Sequence, residues 1–252
     1  MLRHALTVLA ALLAIAPALA ALTDVVERIK PSVVAVGTFQ KTRSPPFVFR
    51  GTGFAVGDGT LVATAAHAVS DLLEADPPET MMVLVSVPGV AEPQGREAKP
   101  VAVDRVHDVA LLRIGGTPLR AVTLGESAAV KDGRSIAFTG FPIGNALGFN
   151  TVTHRGIVSS QPPIAIASPT AKGLDSRVIL SVKAGSFRVF QLDATAYAGH
   201  SGSPVYDADT GDVIGVINIT LKATKDAAVG QATGISFAVP IQYLQDLIRG
   251  LR

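Results

Sequence analysis

From residue 21 onward the chain is a succession of short apolar runs separated by Gly, Pro, Asn and Asp. SVVAVGTF (32–39), TGFAVG (52–57), TLVATAAH (60–67), MMVLVSV (81–87), PVAVDRV (100–106) and VALLRI (109–114) occupy the first half. SIAFTGF (135–141), GIVSS (156–160), RVILSV (177–182), VFQLDAT (189–195), SPVYD (203–207), DVIGVINIT (212–220) and ISFAV (235–239) occupy the second. Runs of this length, rich in Val, Ile, Thr and Phe and bounded by turn residues, predict strands of an all-β barrel or sandwich. Helix patterns are confined to LTDVVERIK (22–30), stopped by Pro31, to HAVSDLLEA (67–75), and to PIQYLQDLIRG (240–250), opened by Pro240 and closed by Gly250. Strands therefore do not alternate with long helices, which argues against a parallel α/β sheet.

The strands fall into two similar groups around GGTPLRAVTLGES (115–127), which reads as a connector. The expected organisation is one antiparallel lobe over 21–120 and a second over 121–252. SPPFVF, ADPPET and QPPIAIASPTAKG read as surface loops, the last long enough to bind or regulate.

The first twenty residues stand apart. MLRHALTVLAALLAIAPALA has a basic start at Arg3, an apolar stretch from Leu6 to Ile15 and a small-x-small end at Ala18-Leu19-Ala20. That is the pattern of a secretory signal peptide, cut after Ala20 or Ala21. Its apolar run falls short of the ~20 residues that span a bilayer, so no stable membrane anchor is expected after cleavage. A periplasmic or secreted location follows. The chain holds no cysteine, so disulfides do not support it there and no thiol nucleophile is available.

Composition removes further classes. Of 22 Lys and Arg, the loss of Arg3 with the leader leaves 21 against 20 Asp and Glu. A near-neutral chain without a basic cluster is a poor nucleic-acid binder. GTGFAVG lacks the spacing of a dinucleotide loop. DADTGD (207–212) begins like a calcium loop but has Gly in the fifth place and no Glu in the twelfth, so it reads as a hairpin turn. No two histidines have zinc-site spacing, and neither metal nor cofactor is expected.

AYAGHSGSPVYDADTGDV (196–213) sets the functional question, because Ser201 and Ser203 sit among glycines between two strands. Small residues suit any tight turn. A serine nucleophile, however, needs a base, and the base needs an orienting carboxylate. His67 ends a strand in LVATAAHAVSD, and Asp108 stands at the mouth of an almost wholly apolar strand in RVHDVALLRI. A carboxylate half-buried there requires a partner, and an imidazole would serve. In this order the His and Asp lie in the first lobe and the Ser in the second, which puts the site between lobes.

TAAH, HDVALLRI and GHSGSPV resemble the His, Asp and Ser motifs of chymotrypsin-fold serine proteases, most closely the HtrA/Deg branch. GTGFAV, GFPIG, NTVTHRGIVSS, QLDATAYAGHSGSPVYDADTGDVIGVINIT and GISFAVPIQYLQDLI extend the likeness over most of 22–250. The resemblance implies two antiparallel six-stranded β-barrels with a short C-terminal helix. It implies catalysis by His67, Asp108 and Ser201, an oxyanion hole from the Gly199 and Ser201 amides, and polypeptide substrates, including unfolded proteins. Ser203 is assigned to packing under the loop.

By the same resemblance the specificity pocket is lined near Thr195–Tyr197, Asn218–Thr220 and Ile235–Phe237, with Thr195, Tyr197, Asn218, Ile219 and Thr220 contacting substrate. None of these is charged, which predicts cleavage after small or medium apolar residues. Glutamyl endopeptidases share SGSPV but carry a His where this chain has Asn218, so glutamate specificity is not expected.

Three features depart from the family. His200 occupies the place of the acid that pairs with a new N-terminus in chymotrypsin-like zymogens, so activation by propeptide cleavage is not expected. The sequence ends about ten residues after its last barrel strand, so no PDZ domain is expected. SGSPV replaces the commoner SGGP. HtrA proteins often form trimers through an N-terminal segment, and residues 22–50 are available for a homotrimer here. The rival reading is a binding scaffold that keeps the fold without turnover.

Overall fold

The computed structural model describes residues 21–69, 79–86, 89–90, 92–142, 149–163, 187–218 and 234–251. The expected leader, residues 70–75 of the second helix pattern, most of the QPPIAIASPTAKG loop, the expected 177–182 strand, Ile219 and Thr220 lie outside the described residues.

The first barrel contains β1 (Val33–Phe39), β2 (Phe47–Val56), β3 (Leu61–Ala65), β4 (Thr80–Val85), β5 (Gln94–Asp104) and β6 (Val109–Ile114). The second contains β7 (Ser135–Gly140), β8 (Val152–Ser160), β9 (Phe190–Asp193), β10 (Pro204–Asp207), β11 (Val213–Ile217) and β12 (Ile235–Pro240). Neighbours run β1-β2-β3-β6-β5-β4 in one closed barrel and β7-β8-β9-β12-β11-β10 in the other. Counted from β7 the second order repeats the first, so one antiparallel topology is used twice. The fold is the all-β, two-barrel arrangement the resemblance implies.

Side-chain parity explains why so many strands read as unbroken apolar runs. Val34 and Val36 of β1 and Ala110 and Leu112 of β6 fill the first barrel. Their neighbours Val33, Ala35, Val109 and Leu111 turn the other way, into a cluster shared with the second barrel. In the second barrel Ile136 and Phe138 point inward and Ala137 joins the shared cluster. A strand buried on both faces has no polar face to alternate with. The shared cluster seats the two barrels against each other, with Phe54 on one side and Phe141 and Tyr206 on the other.

Two helices pack on this seam. In α1 (Leu22–Ile29) Val25 and Ile29 are buried in the shared cluster. Arg28 donates to the Thr210 carbonyl at 2.9 Å in the β10–β11 turn. The segment available for a trimer thus has its helix docked on its own second barrel. In α2 (Gln242–Arg249) Leu244 reaches the same cluster. Among the described residues no helix is long and apolar enough to cross a membrane.

Several expected boundaries shift. β2 starts at Phe47, inside the stretch expected to loop, and β5 and β8 start six and four residues before the expected PVAVDRV and GIVSS runs. Most side chains in those added segments are exposed or half-buried, so backbone pairing carries them and apolar content does not reveal them. Pro240, expected to open the last helix, instead closes β12 opposite Gly215. A proline can end a strand because its missing N–H is not needed beyond the last rung. DADTGD is the expected hairpin turn: Asp207 Oδ1 accepts the amides of Asp209 and Thr210 at 2.9 and 3.0 Å.

Candidate active site

β3 ends at Ala65 and runs into a single 3-10 turn, Ala66–Ala68, that carries His67. The β5–β6 turn lies beside it, because β6 pairs with β3 and sets Val109 opposite Ala65. There Asp104 Oδ1 accepts the amides of Val106 and His107 at 2.9 and 3.0 Å, which closes the turn. Asp108 follows with φ +55°, a left-handed conformation in which Asp is among the better-tolerated residues. This reversal returns its carboxylate to His67. Oδ2 lies 2.6 Å from His67 Nδ1, and Oδ1 accepts the His67 backbone amide at 2.8 Å. The Ala66 amide donates to the Asp108 carbonyl at 3.1 Å. A third side-chain contact crosses from the other barrel, where Asn218 Nδ2 donates to Asp108 Oδ2 at 2.9 Å.

The serine turn is fixed to both barrels. The Gly202 amide donates to the Ile217 carbonyl and the Ile217 amide to the Ser203 carbonyl, both at 2.9 Å. On the opposite side the Thr52 amide donates to the Ser201 carbonyl at 2.9 Å. Thr52 Oγ1 donates to the Gly199 carbonyl at 2.8 Å while accepting the Phe141 amide at 3.0 Å. Gly202 has φ +86°, and a Cβ there would lie 2.2 Å from the Thr52 carbonyl oxygen. Only glycine meets both demands. Gly199 has φ +102°. Among the described residues neither the Gly199 nor the Ser201 amide donates to a partner.

Ser201 is buried, and its Oγ has no hydrogen-bond partner among the described residues, so a Ser201–His67 hydrogen bond is not formed. Ser203 is also buried, against Gly140, where a Cβ would stand 2.1 Å from its Oγ. His200 is wholly buried. Its Nδ1 accepts the Tyr197 amide at 3.0 Å, and its ring meets Phe138 and His154 edge to face. Burial, with the neighbouring His154, pushes its pKa down to about 4, so this imidazole is neutral at pH 7. Burial also lowers the pKa of His154.

Of the residues expected on the specificity pocket, Thr195 is half-buried and Tyr197 is exposed. Ser236 joins this wall to β12, accepting the Ala196 amide at 2.8 Å and donating to the Ala194 carbonyl at 2.6 Å. Asn218, expected to face substrate, spends its side-chain amide on Asp108. Sequence reading also passed over Thr52, for which an isolated strand threonine gives no signal. It passed over His107 as well, whose Nδ1 lies 2.6 Å from Asp104 Oδ2 and whose ring stacks on Tyr243 of α2 at 3.7 Å. Although burial opposes it, the His107 hydrogen bond holds Asp104 below the usual carboxylate range. A surface depression of about 760 Å³ lies elsewhere, on β5, β6 and the 115–117 segment, with Arg96, Glu97, Lys99 and Arg113 among its lining residues.

Two closed barrels, a His–Asp pair on the first and a glycine-framed serine turn on the second define a chymotrypsin-like serine peptidase domain. The trypsin-like peptidase domain family matches residues 51–216, and the chain belongs to that family. Its relatives include the mitochondrial serine protease HTRA2 of Bos taurus, 34% identical over 232 residues, covering 90% of this chain and 42% of that protein. Serine protease HTRA1A of Danio rerio is 31% identical over 231 residues, covering 90% and 40%. The chain thus spans about two-fifths of the length of these relatives. Among solved structures, the HtrA-type protease AlgW with a tripeptide matches at TM-score 0.66 and 21% identity, over 92% of this chain and 64% of that one. Deg5 matches at TM-score 0.65 and 23% identity, over 91% and 92%. These two likenesses concern the fold.

Proposed function

We propose that the chain is an exported serine endopeptidase that cuts polypeptides through a Ser201–His67–Asp108 triad and an acyl-enzyme. The observation that carries this reading is the His67–Asp108 pair, 2.6 Å apart and braced by Asn218 from the barrel that bears Ser201. A carboxylate on Nδ1 fixes the tautomer that leaves the other ring nitrogen, Nε2, free to take a proton.

In this mechanism Ser201 Oγ turns toward His67 and attacks the scissile carbonyl as Nε2 accepts its proton. Asp108 stabilises the imidazolium. The negative oxygen of the tetrahedral intermediate is held by the Gly199 and Ser201 amides, and removal of one such donor typically costs roughly 10²–10³ in rate. The intermediate collapses, the C–N bond breaks, and the leaving amine takes the proton from His67. Water, deprotonated by His67, then releases the acyl group. No step calls on a cofactor. The uncharged wall at Thr195–Tyr197 supports a preference for small or medium apolar residues. The leader pattern supports export, to a periplasm or the outside of the cell, and the assembly proposed is a homotrimer.

The test is hydrolysis of an unfolded polypeptide by the wild type, Ser201→Ala and His67→Ala, with the new termini sequenced. The reading expects cleavage by the wild type alone, after small or medium apolar residues. Cleavage that persists in His67→Ala would contradict His67 as the base.

A further inference from the structure

Within the serine turn, residue 200 closes a small ring with residue 197 in both directions. The His200 amide donates to the Tyr197 carbonyl at 3.0 Å, and the Tyr197 amide donates back to His200 Nδ1 at 3.0 Å. Gly199 lies inside that ring, so the direction of its amide depends on this closure. We propose that His200 is a positioning residue whose neutral imidazole sets the course of residues 197–201, and that one proton on it releases the turn. The proposal rests on the reading of Ser201 as nucleophile for its catalytic consequence, though not for its structural part.

Because Nδ1 accepts, the ring hydrogen is on Nε2, which is buried without a partner among the described residues. A proton added at Nδ1 would set a donor against the Tyr197 N–H and place a charge where, among the described residues, no carboxylate pairs with it. The titratable neighbours are His154 on β8 and Tyr197 in the turn itself. β7 presents Phe138 and Gly140, where a Cβ would stand 3.1 Å from His200 Cδ2. The serine turn and β2 place Ser203 Oγ and Thr52 Oγ1 beside that same Gly140 position. Among the described residues no carboxylate enters the charge balance of His200. His154 Nε2 is likewise buried and unpartnered, so a cation on either ring repels one on the other. The ring therefore cannot gain a proton and keep its place against the Tyr197 amide.

The test pairs spectroscopy with labelling. In ¹⁵N-labelled Ser201→Ala protein, imidazole resonances followed from pH 8 to 3.5 should show one histidine that stays neutral with its hydrogen on Nε2 until about pH 4. That histidine should vanish in the additional His200→Asn variant, whose Oδ1 replaces the Nδ1 acceptor. The Tyr197 amide should lose its exchange protection together with the titration, and should keep it in His200→Asn. With Ser201 restored, His200→Leu should react with a fluorophosphonate about 100-fold more slowly than wild type at pH 7.5. His200→Asn should stay within about threefold of wild type and lack the steeper acid fall below about pH 4.5. A His200 that titrates near the ordinary imidazole value, a Tyr197 amide indifferent to that titration, or a His200→Leu variant as reactive as wild type would each overturn the proposal. A wild type that never labels, with the imidazole and amide behaving as stated, would strike the peptidase reading and leave the hold of His200 on the turn standing.

Discussion

Asp108 sits in a left-handed conformation and receives His67 Nδ1, the His67 amide and Asn218 Nδ2. The first contact was readable, because a carboxylate at the mouth of an apolar strand needs an imidazole. The third was not, since it joins residues 110 apart in sequence across the seam. A hydrogen bond to a charged group is worth about 1.5–3 kcal/mol. Asn218→Leu should therefore lower kcat by roughly 10- to 100-fold with KM little changed, and steady-state kinetics on one peptide will show whether kcat alone falls. Thr52 serves two backbone groups at once, so Thr52→Val leaves the Gly199 carbonyl and Phe141 amide without it. A loss of roughly 2–3 kcal/mol is expected, seen as a Tm lower by about 5–10 °C. His200 adds a pH term. Its folded pKa of about 4 lies below the ordinary imidazole value, so its contribution is complete above about pH 6.5 and is lost as pH falls toward 4. The displacement corresponds to about 3 kcal/mol. Denaturant midpoints should fall over that window in the wild type and less in His200→Asn; equal profiles would contradict the buried neutral ring.

Elements were legible in proportion to their burial. β6 begins and ends where its apolar run does, because it is buried on both faces except at Arg113. β5 and β8 show less than half of themselves to the core, and their polar ends gave no pattern to read. α1 was visible as a short helical segment stopped by Pro31, but its partner was not. Its buried residues face the second barrel, whose surface exists only after the chain has closed. Ile29→Ala should cost about 2–5 kcal/mol by opening a cavity at this seam, a loss that equilibrium unfolding would register. On the serine turn, Gly202→Ala should cut active-site labelling by at least about 100-fold, because its Cβ and the Thr52 carbonyl cannot share the space. Labelling at the wild-type rate would mean that the turn is not docked as described.

At the scale of the molecule, one barrel topology used twice leaves a seam, and the seam is where the candidate catalytic residues converge. β3 and the β5–β6 turn bring His67 and Asp108 from one side, and the turn before β10 brings Ser201 from the other. Asn218 and Thr52 tie the two sides together. That division was readable from motif order alone, whereas the stitching was not, because hydrogen bonds between distant strands leave no mark on hydropathy. The most direct measurement is intact-mass analysis after exposure to a fluorophosphonate at pH 8, comparing wild type with Ser201→Ala and His67→Ala. The account predicts a single phosphonyl adduct on Ser201 in the wild type and none in either variant. An unmodified wild type, or an adduct that persists in Ser201→Ala, would contradict it.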